Sequence, residues 1–262
     1  MWMPQKRWRP LAGIIVALSG AAGAARADNW DAYLTVDNQF DVYFGTPMAT
    51  NFYAGGGANW ATSFHYTATG RPSTDYLYVA TSSDQFVAQG FIGVFTNTTT
   101  NTSITTGSTV WQVFPAGKYL QQIFGISGPW TPMLMPTQSQ VDAAIAYATL
   151  NNLWVAPSTA PGYDNDPGTS TAPYSYPWGS LVLPNIPSSA QWIWYDSGQS
   201  VPGPFATPIN GFNHDEFLVF RVPGTATPEP ATMAASRPRV ATGDSAGPAL
   251  ATADTEEVGG YR

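Results

Sequence analysis

The chain has 262 residues, a formal net charge of −7, 44% apolar and 10% charged residues, two histidines and no cysteine. From Asp28 to Thr227 the only basic residues are Arg71, Lys118 and Arg221, so no cluster of Lys and Arg is available for nucleic-acid phosphate. The missing cysteines exclude disulfide staples, thiolate nucleophiles and Cys-ligated zinc, and two histidines are too few for a His-rich catalytic metal centre.

In chain order, the first feature is a three-part export pattern. Lys6, Arg7 and Arg9 form a basic start, Leu11 to Ala24 is an apolar run, and Ala25-Arg26-Ala27 precedes Asp28 as an A-x-A cleavage site. This predicts a secretory signal peptide over residues 1–27, cut between Ala27 and Asp28. The apolar run is shorter than the roughly 20 residues a spanning helix needs.

Residues 28–135 alternate apolar and polar side chains with a period of two. The segments "AYLTV" (32–36), "FDVYF" (40–44), "SFHYTA" (63–68), "YLYVA" (76–80), "FVAQGFIGVF" (86–95) and "VWQVF" (110–114) are predicted strands. The clusters "AGGGAN" (54–59) and "TNTTTNTS" (96–103) read as breaks between them, the second as a hairpin tip. "PTQSQVDAAIAYATLNNL" (136–153) departs from this pattern. Thr137 and Gln140 form a capping box, and Val141, Ala144, Ile145 and Ala148 share one helical face, which predicts one short amphipathic helix lying on the sheets. The stretch 156–179 is rich in Pro and Gly and reads as irregular but packed. "QWIWY" (191–195) and "EFLVFRV" (216–222) are the last predicted strands. One domain, 28–223, follows, with residues 224–262 as a linker and a polar tail expected to be disordered.

The segments "DNQFDVYFG", "YLYVATSSDQFVAQGFIGVF", "WQVF", "QWIWYDSG" and "NHDEFLVFR" together resemble the ectodomains of exported bacterial proteins that carry a PEP-type C-terminal sorting signal. That resemblance implies an all-β, jelly-roll sandwich of the galactose-binding-like kind, used by many carbohydrate-binding modules. The tripeptide Pro228-Glu229-Pro230 after the last strand matches the opening of the sorting signal, which an exosortase-type transpeptidase handles. In the family an apolar helix and an arginine cluster follow. Here Arg237, Pro238, Arg239, Asp244 and Pro248 follow, so the signal is expected to be incomplete and to provide no membrane span.

Three groups are candidates for function. Trp130 ("SGPWTP") and Trp178 ("SYPWGS") lie in Pro/Gly loops, where an exposed indole would stack on a sugar ring; Trp111, Trp192 and Trp194 lie on strands and are expected in the core. Asp164 and Asp166 in "YDNDPG" offer alternate oxygens on a tight loop, a pattern that suits calcium, and the resemblance allows a structural calcium. In "NHDEF", Asp215 and Glu216 point to opposite faces of a strand and make a poor catalytic pair, and Arg221 is expected to pair with an Asp. No other cofactor is implied. The expected function is therefore that of a non-catalytic envelope or matrix protein, secreted or at the cell surface, with polysaccharide as partner. A secreted glycan hydrolase and a purely structural matrix component are the alternatives.

Overall fold

A computed structural model describes residues 26–84, 89–125, 134–166, 178, 181–195 and 217–224. Eleven strands and two helices run in the order β1 (Ala27–Asp37), β2 (Gln39–Gly45), β3 (Thr50–Gly57), β4 (Phe64–Pro72), β5 (Tyr76–Ser82), β6 (Gly90–Asn97), β7 (Thr102–Thr105), β8 (Gln112–Pro115), α1 (Ala116–Phe124), α2 (Gln138–Leu150), β9 (Ser158–Asp164), β10 (Gln191–Trp194) and β11 (Leu218–Val222). All pairings are antiparallel. The first sheet has the order β4-β1-β6-β10-β9, with β7 also paired to β6; the second has the order β3-β2-β5-β11-β8. The chain is an all-β sandwich, as the alternating segments predict.

The side-chain period places the core. Trp30, Leu34 and Val36 of β1 and Phe91 and Phe95 of β6 meet Phe40, Val42 and Phe44 of β2, Leu77 and Val79 of β5, and Leu218 and Phe220 of β11. Rings dominate the contact: Phe91 lies 5.2 Å from Trp111 and 5.3 Å from Phe220, and Trp194 lies 5.7 Å from Phe220, centroid to centroid. Burying each of these large side chains contributes about 1.5–3 kcal/mol. Trp111, Trp192 and Trp194 are buried, as their strand positions predict.

A second core lies on the other face of the second sheet. Tyr43, Tyr78, Ala80, Phe114 and Val219 are roofed by Ala116 and Leu120 of α1 and by Val141, Ala144, Ile145 and Ala148 of α2. With both faces covered, β5 and β11 read as nearly continuous apolar runs. The capping box forms as predicted: the Gln140 amide donates to the Thr137 hydroxyl, and the Thr137 amide donates to the Gln140 side chain at 2.8 Å.

The structure corrects the sequence reading at four places. Two helices are present where one is predicted; α1 starts at Pro115 without a side-chain cap and ends at Gly125 in the left-handed conformation, so it lacks an N-terminal signal. The "AGGGAN" break is largely strand: Gly55, Gly56 and Gly57 pair with Val42, Asp41 and Phe40. Glycine is needed there because the rings of Tyr66 and Phe64 lie 2.1 and 2.6 Å from where a Cβ on Gly55 or Gly57 would stand. Part of the Pro/Gly-rich stretch forms β9, an edge strand, which is where a proline such as Pro161 is tolerated. Finally, Arg221 pairs with no carboxylate among the described residues. Its guanidinium sits 3.9 Å over the Trp154 ring and donates to Gln112 at 2.8 Å and Thr149 at 3.1 Å. The "TNTTTNTS" segment does contain the β6–β7 turn, with the Asn97 side-chain oxygen accepting from the amides of Thr99 and Thr100.

Candidate functional site

Trp178 is not an exposed platform. It is 3% exposed, its indole N–H donates to the Asp37 carboxylate at 2.9 Å, and its ring stacks on Trp192 at 4.2 Å with planes 2° apart. Gly90 faces both rings; a Cβ there would lie 2.6 Å from Trp178 and 2.7 Å from Trp192. The Pro/Gly context predicted exposure, but a buried acceptor and a partner ring give the indole a better place inside. Trp130 lies outside the described residues, as do His214, Asp215, Glu216 and the Pro228-Glu229-Pro230 motif. Ala27 opens β1, and Asp28 is buried with its carboxylate 2.9 Å from Arg26 Nε.

Residues 164–166 form an Asx turn, with the Asp166 amide donating to Asp164 Oδ1 at 2.9 Å; Pro167 and Gly168 lie outside the described residues. Between the two acids, buried Asn165 donates to the carbonyls of Leu183 and Ile186 at 2.9 and 2.6 Å and accepts from the Leu183 amide at 2.7 Å. This loop thus holds the 183–186 turn. No group of three His, Cys, Asp or Glu side chains suited to a metal occurs among the described residues.

Two acidic positions stand out in the geometry. Asp37, at the end of β1, is buried, and burial pushes its carboxyl up to about 7, aided by the charge of Asp84 and opposed by the hydrogen bonds from Trp178 and Asn38. Asn38 and Asp84 bond reciprocally: the Asn38 amide group donates to Asp84 at 3.1 Å, and the Asp84 backbone amide donates to the Asn38 side chain at 2.9 Å.

The second position is Asp41, on the β2–β3 edge of the second sheet. Its carboxylate accepts from the hydroxyls of Tyr53 at 3.0 Å and Tyr43 at 3.3 Å. Burial raises the Asp41 carboxyl above its usual range, and the two phenols counteract this. The Tyr53 phenol is pushed up to about 12 by burial and by Asp41, so it stays protonated and donates at neutral pH. Tyr43 is buried; Tyr53 is 53% exposed. Gly56 makes the arrangement possible, since a Cβ there would fall 2.2 Å from Asp41 Oδ1 and 3.0 Å from the Tyr53 hydroxyl. Beside it, α2 is tied to β3: Asp142 accepts from the Thr50 amide and hydroxyl at 2.8 and 2.7 Å, and Gln138 donates to Thr50 at 2.9 Å. The result is an exposed ring held at a fixed angle over an acceptor. Sequence reasoning missed it because Tyr53 lies outside every predicted strand and the glycines after it, "AGGGAN" (54–59), read as a break; the signal present was an Asp inside the apolar strand "FDVYF".

No protein family, no curated protein and no solved structure matches the chain.

Proposed function

We propose that this chain is an exported, non-catalytic protein of a bacterial envelope or extracellular matrix that works by surface contact with polysaccharide. The observation that carries the non-catalytic part is how the carboxylates are used. Among the described residues of the mature chain, Asp31 and Asp75 pair with His65 and Arg71; Asp142 holds Thr50; Asp41 holds two phenols; Asp37 lies buried under Trp178. Glycan hydrolysis needs two carboxyl groups placed on either side of an accessible glycosidic bond. Described acids already engaged in anchoring contacts favour contact over cleavage.

The export part is supported by the N-terminal pattern and by the Pro228-Glu229-Pro230 motif. No helix of the described residues is long and apolar enough to cross a membrane. Retention at the surface would then come from glycan contact, with an exosortase-type enzyme acting on the motif if the signal is read. A galactose-binding-like jelly roll is the finer form of the sandwich that this reading favours.

Expression of the full chain in a secreting bacterium tests the proposal. Mature protein beginning at Asp28 should be recovered from the cell surface or matrix and released by soluble neutral polysaccharide. Protein that keeps Met1 and stays with the cytoplasmic fraction contradicts it.

A further inference from the structure

We propose that Tyr53 is the stacking platform of a binding site for neutral polysaccharide, built on the β2–β3 edge of the second sheet. This rests on the contact reading above and names its site. Four observations carry it.

The first is exposure. Tyr53 is 53% exposed and is the most exposed large aromatic side chain among the described residues; Tyr147 follows at 36%. The second is preorganisation. The Tyr53 hydroxyl is fixed on Asp41 and its ring centroid lies 5.3 Å from that of buried Tyr43, so little side-chain freedom is left to lose when a ligand arrives. The third is access. β3 is the outer strand of its sheet, so no further strand of that sheet lies beyond Tyr53 among the described residues.

The fourth is charge. Asp41 and Asp142 both act on the Tyr43 beside Tyr53, and Arg71, which reaches Asn51 on β3, is already paired with Asp75 at 2.6 Å. An acidic face with no unpaired cation shown among the described residues beside it repels uronates and sulfated sugars. It suits a ligand that brings hydroxyl donors, because an ionised carboxylate has acceptor capacity beyond its two phenols. A sugar ring offers the matching surface, with an apolar C–H face for the tyrosine and hydroxyls at its rim for Asp41.

Native affinity gels containing hydroxyethylcellulose, dextran, galactomannan or polygalacturonate test this with the full exported chain. The wild type should be retarded by at least one neutral polymer and not by polygalacturonate. Tyr53→Ala should weaken that retardation by roughly fivefold, the scale of one aromatic-face contact. Tyr53→Phe, which keeps the ring and loses its tether, should weaken it less and guards against an alanine variant that fails to fold. If the wild type binds a neutral glycan and both variants bind as well as it does, the site is wrong while the contact reading stands. If the wild type binds none of the polymers, or only polygalacturonate, both fall.

Discussion

At the scale of single residues, Asp37 and Trp178 make opposite demands on the protein. The indole needs an acceptor, and Asp37 supplies it, but burial holds that carboxyl near 7 against an ordinary value of 3.8. The folded state therefore binds this proton more tightly than the unfolded chain. Its stabilising contribution is complete below about pH 4 and is lost as pH rises through about 7, a change of up to about 4 kcal/mol. Asp41, also raised, adds in the same direction. Denaturant melts at about pH 4.5 and about pH 8 should show the wild type weaker at the higher pH and Asp37→Asn much flatter. Equal slopes in the two proteins would show that Asp37 is not the titrating group. Truncating Trp178 is a separate matter of packing: Trp178→Ala empties a site between Trp192, Gly90 and Asp37 and should cost about 3–5 kcal/mol. Tyr53→Ala, at a half-exposed position, should stay within about 1 kcal/mol of wild type in the same melts. A near-neutral Trp178→Ala would return that residue to the surface.

At the scale of elements, local signals were legible where one side-chain face decided the structure. The capping box and buried stripe of α2 could be read directly, because Thr137, Gln140 and the four apolar positions act within one helix. Thr137→Ala should cost about 1 kcal/mol, measured by the denaturant midpoint, and no change there would mean that Gln140 caps the helix without its partner. What could not be read was decided by distant residues. The three glycines of β3 look like a turn until the rings of Phe64 and Tyr66 are placed against them. β9 is a strand because β10 pairs with it, and β10 lies far along the chain. For α1 the deciding contacts are Phe217 and the covered sheet face, where Ala116 and Leu120 are buried. The site residues follow the same rule. Asp41 was visible as an acid in an apolar strand, but its meaning depended on Tyr53, which lay outside every predicted strand and just before a segment read as a break.

At the scale of the whole molecule, the second sheet is covered on both faces, and Asp41 and Asp142 are drawn into its supports. The sandwich core and the helical roof together fix β2 and β5, and β2 in turn carries Asp41 to the open edge where Tyr53 is held. Such a frame suits a fixed contact surface better than a cleft that must admit, distort and cleave a chain. The most direct test of the central claim is to incubate the full chain with the neutral polysaccharides above and measure bound protein and newly formed reducing ends in the same samples. The account predicts saturable binding with no release of reducing ends over days. Reducing ends that accumulate in proportion to protein would contradict it and make the chain a hydrolase.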